Sequence, residues 1–137
     1  MAAVHKACPV VLRPGREALA FRHPQAGLQL VKGGGHDGEH PADAAERELS
    51  EESGLALRPI RDLGTSQRIE PGERWRVWLM SEAPLPDTWT HPCADDGGHD
   101  FAVFWQRLCS PPPEGFAPRY RRALVHIDAP LPEGERQ

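Results

Sequence analysis

Long apolar runs are missing from this chain of 137 residues. No stretch approaches the ~18 residues that a membrane-spanning helix needs, so no membrane insertion is expected. The opening residues MAAVHKACPVVL lack a basic start, an apolar stretch and a small-residue cleavage site, so no signal peptide is expected. An excess of basic residues is missing too. The net charge is −4, which offers nucleic acid or an anionic membrane no general attraction. Cysteine is scarce: Cys8, Cys93 and Cys109 form an odd set without CxxC spacing. That pattern argues against a disulfide scaffold and suits free thiols in a reducing cytoplasm. Internal repeats and low-complexity tracts are absent.

What is abundant is punctuation. Fifteen prolines and thirteen glycines imply short elements and many turns. The length suits one domain over residues 1–137 with one core. AVHKACPVVLR is apolar and β-branched enough for a first strand, with Pro9 placing it near an edge or a bulge. EALAFRH alternates as a second strand after the turn RPGRE. HPQAGLQLVKGGGHDGEHPAD is a long glycine-rich loop, broken by the apolar piece Leu28 to Val31. Further strands are expected in LALRPIRDLGTSQRI, broken at Pro59, in RWRVWLM and in FAVFWQRL. PLPDTWTHPCADDGGHD between the last two is expected to be loop. APRYRRALVHI is a second helix with Pro118 in its first turn, and the residues after it a frayed tail. This order predicts an α/β or α+β sandwich.

The clearest helix runs from Pro41 to Ser53. Pro41 suits the first turn, where a missing N–H is no loss. Asp43 is well placed for the helix dipole. Ala42, Ala45 and Leu49 mark the expected buried stripe, and Gly54 is a natural stop. The last turn is the odd part. Glu48 and Glu51 are three apart, Glu48 and Glu52 four apart, so each pair shares a helical face. Like charges at that spacing destabilise a helix by ~0.2–0.5 kcal/mol per pair, and the dipole adds a similar penalty. One reading is a solvated acidic face, with Arg47 paired to Glu51. The other is a hard-cation site, because carboxylates aimed at one point suit Mg²⁺ or Mn²⁺.

The preceding residues favour the cation. From Gly33 to Leu55 the chain reads G-x5-E-x7-R-E-L-x-E-E-x-G-L. This resembles the Nudix hydrolases, whose signature is G-x5-E-x7-R-E-U-x-E-E-x-G-U, with U a bulky aliphatic residue. All nine specified positions match over 23 residues. With Gly, Glu and Arg each near ~7% of residues, a chance match anywhere in the chain is below roughly one in a million. The flanking strands fit the family's order, so the resemblance covers most of the chain.

The resemblance implies an α/β/α sandwich around a central mixed β-sheet. It implies hydrolysis of a nucleoside diphosphate linked to another group, with Mg²⁺ or Mn²⁺ as cofactor. It makes Glu48 and Glu52 metal ligands, and Glu51 a ligand or a base. The Lys32 backbone carbonyl completes the site, and Arg47 holds a glutamate. Gly33 and Gly54 shape the turns, and Glu39 ties the loop to the helix. Partners would be small nucleotide-type molecules, with no membrane and no nucleic acid, and a homodimer would be in keeping with the family. The second reading is a weak or inactive Nudix-fold module that senses a nucleotide without cleaving it. The intact acids argue against it. The loop GGGHDGE departs from the pattern: Gly35 stands where an aliphatic residue is usual, His36 where an acid is, and Asp37 where proline is.

Other features carry less. His91, Cys93, Asp95, Asp96, His99 and Asp100 fit no zinc spacing. They read as a loop, or as a substrate lid from which an acid reaches the metal. Glu70 and Glu73 are further candidates for such an acid. Trp75, Trp78, Trp89 and Trp105 read as packing, with stacking on a nucleobase the functional alternative. RYRRAL reads as a solvated face, with binding of phosphate or RNA the functional alternative. His5 and His126 read as structural or exposed. The order of KGGGHDGE excludes a Walker-type phosphate loop. The substrate is not specified by any second motif.

Overall fold

A computed structural model describes residues 3–94 and 97–131. The strands are β1 (Val4–Val10), β2 (Leu12–Arg13), β3 (Glu17–His23), β4 (Gly27–Gln29), β5 (Gly33–Gly34), β6 (Pro59–Ser66), β7 (Glu73–Met80), β8 (Trp89–Cys93) and β9 (His99–Arg107). The helices are α1 (Pro41–Ser53) and α2 (Pro118–Asp128). One sheet has the order β5-β1-β7-β6 and the other β2-β3-β9-β8, with β4 on β3. The first is mixed: β1 and β7 run parallel, while β5 and β6 pair antiparallel to their neighbours.

Strand alternation builds the layers. In β1, Cys8 and Val10 face a core shared with Trp75, Val77 and the α2 residues Tyr120, Ala123, Leu124 and Ile127. Ala7, with Val11 just past the strand, faces the opposite core, shared with Ala44, Ala45 and Leu49 of α1 and with Phe21, Phe101 and Val103. In β3, Ala18 and Ala20 point one way, Leu19 and Phe21 the other. Successive side chains on a strand point to opposite faces, so each helix covers one face of the β layer. The result is the α/β/α sandwich with a central mixed sheet. Full burial of a side chain such as Leu49 contributes roughly 1.5–3 kcal/mol.

Three local expectations change. Residues 89–93, expected to be loop, form β8, which pairs antiparallel with β9 in the register His91↔Phe101 and Pro92↔Asp100. Pro92 is tolerated because β8 is an edge strand. Pro59 begins β6 instead of breaking it. The buried stripe of α1 is rotated: Ala42 is only half-buried, and Ala44 is buried in its place. Two rows at i, i+4, i+8 are covered, Ala45–Leu49–Ser53 and Ala44–Glu48–Glu52. Two of the acids therefore lie on the packed face of the helix.

Among the described residues, no helix is long and apolar enough to cross a membrane.

Candidate active site

The chain enters α1 through the cap residue His40, whose ring nitrogen accepts from the Ala42 N–H at 3.1 Å. It leaves at Gly54, in the left-handed region at φ 82°, with its N–H donated to the Ser50 carbonyl. Glu48 and Glu52 point inward, 6% and 8% exposed. Gly33 sits beside Ala7 in the β1–β5 ladder, and the Glu48 carboxylate lies directly on it. A Cβ on Gly33 would overlap that carboxylate. Glycine at position 33 thus leaves room for the close approach of a charged group that a side chain would have to push aside. Gly33→Ala is expected to displace Glu48 and to abolish most of any activity that depends on its carboxylate. A crystal structure of the variant with Glu48 in place and activity retained would refute this.

Glu52 faces Glu48 closely enough for the two carboxyls to hydrogen-bond. Burial first, then Glu48, pushes the Glu52 carboxyl well above the ordinary carboxylate range. The Lys32 charge and a backbone hydrogen bond at Lys32 act in the opposite direction. Lys32 is itself held below the ordinary lysine range, first by burial and then by Lys6 and Arg119. Arg47 stands beside Glu48, but Glu52 has only the partly desolvated Lys32 nearby, so the buried pair is short of positive charge. Oxygen donors so placed fit a hard divalent cation.

Glu51 is elsewhere. Its carboxylate is 40% exposed and turned to Arg47. Arg47 is the hub of the site. Its Nε donates to Glu39 Oε2 at 2.9 Å, its Nη1 to Glu48 and Glu51 at 3.0 and 3.1 Å, and its Nη2 to the Gly34 carbonyl at 2.8 Å. Glu39 also accepts the His36 N–H at 2.9 Å. Arg47 chiefly, with that N–H, holds the Glu39 carboxyl down at about 2. Glu39 is thus hydrogen-bonded both to the loop, at the His36 N–H, and to the helix, at Arg47. Among the described residues no three acid, His or Cys side chains converge as a ready metal cage. The structure brings Glu48 and Glu52 together and leaves Glu51 on the arginine.

The negative end of α1 has a compensation that comes from outside the Gly33–Leu55 signature. Edge strand β8 lays two donors against it. The Trp89 indole N–H donates to the Ser53 carbonyl at 2.9 Å, and His91 Nε2 lies 3.0 Å from the Glu51 carbonyl. These satisfy last-turn carbonyls that no helical N–H can reach. His91 belongs to this cap, and Trp89 is not available for stacking in this state. Trp89→Phe keeps the ring and removes the donor. It should lower stability by ~1 kcal/mol, read as a shift of the urea midpoint at unchanged slope.

The remaining candidates have structural partners. Glu70 is paired with Arg119 at 3.3 Å and reaches Arg122 at 3.8 Å. Glu73 accepts from the Trp75 indole at 2.8 Å. Trp105 donates to the Pro86 carbonyl at 3.0 Å. Trp78 lies under the Arg76 guanidinium. His99, on β9 beside Asp100, packs its ring at a 50° tilt against His23, with centroids 4.7 Å apart. His126 contacts the Leu63 carbonyl. The arginines of RYRRAL are tethered as well, Arg121 to the Pro112 carbonyl and Arg122 to the Ile69 carbonyl. Asp95 and Asp96 lie outside the described residues. The buried Cys8 thiol is pushed up to about 12, chiefly by burial, which makes it a poor nucleophile.

Similar folds are known. An ADP-ribose pyrophosphatase from Streptococcus suis 89-1591 superposes with a TM-score of 0.69 at 15% identity, over 96% of this chain and 95% of that one. A MutT protein from Methanosarcina mazei Go1 gives a TM-score of 0.71 at 17% identity, over 94% and 95%. A UDP-X diphosphatase gives 0.60 at 11%, over 95% of this chain and 64% of that one. At such identities these likenesses show the fold alone. The family model of the NUDIX domain matches residues 4–126, and the chain therefore belongs to the Nudix family, hydrolases of phosphorus anhydrides.

Proposed function

We propose that this chain is a pyrophosphohydrolase dependent on Mg²⁺ or Mn²⁺, acting as a single domain on a nucleoside diphosphate linked to another moiety. The observation that carries this reading is the buried Glu48–Glu52 pair, two acids in contact with no arginine or lysine ion-paired to Glu52 among the described residues. A solvated acidic face would turn such groups outward. Here the helix buries them and keeps them against Gly33.

In this reading Glu48 and Glu52 hold the cation. The family resemblance makes the Lys32 carbonyl the neighbouring backbone ligand; Lys32 directly precedes Gly33, on which the Glu48 carboxylate lies. When bound, Mg²⁺ neutralises phosphate charge and polarises a phosphoryl oxygen. Arg47 fixes the Glu48 carboxylate from the side and keeps Glu51 at the exposed edge. Glu51, the acid least committed to the interior, can join the ligand set or accept the proton of an attacking water. The substrate would be a small nucleotide. Catalysis in a reducing cytoplasm would suit thiols such as Cys8 and Cys109.

The test is release of phosphate or nucleoside monophosphate from a panel of nucleoside triphosphates, nucleotide-sugars and dinucleoside polyphosphates, with and without Mg²⁺. Turnover of at least one member only in the presence of the metal is expected. Binding without turnover across the whole panel would replace the enzyme with a nucleotide-sensing module.

A further inference from the structure

A cleft that the acid pair does not use lies under the loop Gly34–Glu39. It has a volume of about 520 Å³. Its floor is the β1–β7 ladder, where His5 stands opposite Arg74 and Ala7 opposite Arg76. Its roof is the loop Gly34–Glu39 with Pro41 and Ala44 of α1. Neither Glu48 nor Glu52 lines it.

The cleft follows from the departure of this loop from the family pattern. Gly35 stands where an aliphatic side chain is usual. A Cβ there would meet Ala44 at 3.8 Å and Glu39 at 3.9 Å, ordinary contact distances. A larger side chain would therefore pack down into the space instead of being excluded. Its absence leaves the hollow open.

The walls are cationic in a protein of net charge −4. Arg74 and Arg76 are two apart on one strand, hence on one face with roughly 7 Å between their Cα atoms. With the Gln67 amide turned to satisfy both groups, its oxygen accepts from Arg74 Nε and Nη2 at 2.9 and 2.6 Å. That partner is neutral, and Arg74 is ion-paired to no carboxylate among the described residues. Arg76 is paired with Asp62 at 2.8 Å, but both side chains are about 40% exposed. Such a pair is weak and easily exchanged. Lys6, between His5 and Ala7 on β1, contributes lining but points its side chain to the opposite face of the strand, with Trp75. Against the two arginines stand Asp37 and Glu39, and Glu39 is already neutralised by Arg47. Two guanidinium forks on one face suit the several oxygens of a phosphate better than the two of a carboxylate. The volume, with Val4, Ala7 and Ala44 for apolar walls, is that of a small-molecule site.

We propose that this cleft is a second anion site, which takes a phosphate ester the size of a nucleoside monophosphate between Arg74 and Arg76, apart from the buried acids. Ligand there would contact the loop that carries Glu39, and so load the Glu39–Arg47 tether from its far side.

The test is calorimetric titration with AMP in EDTA, where no metal-dependent binding operates. Wild type should bind AMP and should bind adenosine at least tenfold more weakly. The double variant Arg74→Gln/Arg76→Gln should lose at least tenfold in AMP affinity, and Gly35→Val, which fills the hollow, should do the same. Glu52→Gln should bind as wild type does. The Arg74→Gln/Arg76→Gln protein should still hydrolyse its substrate with Mg²⁺ to within a few fold. Absence of AMP binding by wild type, equal affinity for adenosine, or loss of binding in Glu52→Gln with retention in the arginine variant would each overturn the proposal. None of the binding outcomes depends on turnover, so failure here leaves the hydrolase reading standing, and the reverse holds.

Discussion

Glu52→Gln should lower Mg²⁺-dependent turnover at least a hundredfold, about 2.7 kcal/mol of transition-state stabilisation, without unfolding the protein. The amide keeps the shape of the carboxyl and removes its charge. In the absence of metal the native state holds Glu52 8% exposed against a second acid, a place that disfavours its ionised form and so costs the folded state stability near neutral pH. Replacing it by a neutral group removes that penalty, so the metal-free variant should melt at the same temperature as wild type or higher. Magnesium should then raise the melting temperature of wild type, by selective binding to the native state, and raise that of the variant much less. A structural role for Glu52 predicts the opposite: a lower melting temperature and a parallel loss of activity. Near-normal turnover in the variant would remove Glu52 from the metal site. Activity, metal-free stability and the metal-induced shift together separate the two roles.

The parts of this site that sequence reveals are those in which the constraint is local. Pro41 and Gly54 bracket α1 at its observed limits because each acts through its own backbone: one tolerates a missing donor, the other a left-handed turn. The acids were legible as a group because three of them in one turn are unfavourable unless something binds. Their division into two buried members and one exposed member was not. It depends on which side of α1 meets the sheet, and the alanines leave that ambiguous, since Ala42 and Ala44 are equally apolar. The cap from Trp89 and His91 was invisible for another reason. It joins residues 36 and 40 positions apart, and its strand carries Pro92 in a segment otherwise full of turn formers. Edge position, a property of the assembled sheet, makes Pro92 acceptable there. The arginine cleft needs register as well: Arg74 and Arg76 face His5 and Ala7 only once β1 and β7 lie parallel. The lost aliphatic side chain at Gly35 was the one local sign of it.

Arg47→Ala and Arg47→Lys should both fail, and for different reasons. One guanidinium serves Glu39, Glu48, Glu51 and the Gly34 carbonyl through three nitrogens. Truncation leaves the buried Glu48 beside Glu52 with no arginine at all. Breaking a buried pair in this way should cost about 3 kcal/mol, the lower end of the usual range, because the guanidinium retains 21% exposure. Urea unfolding of the metal-free protein measures it. Lysine retains the charge, but an ammonium is one point on a flexible stem and cannot reach acceptors on the loop and the helix together. Arg47→Lys should recover part of the lost stability, since a cation again stands near Glu48. It should recover little turnover, because neither Glu48 nor the loop from Gly34 to Glu39 is then held in place. In a double-mutant cycle, Arg47→Ala and Glu39→Gln should be strongly non-additive, as expected for partners in one network. Additive effects, or a lysine variant with wild-type turnover, would show that positive charge suffices and that the planar fork does not organise the site.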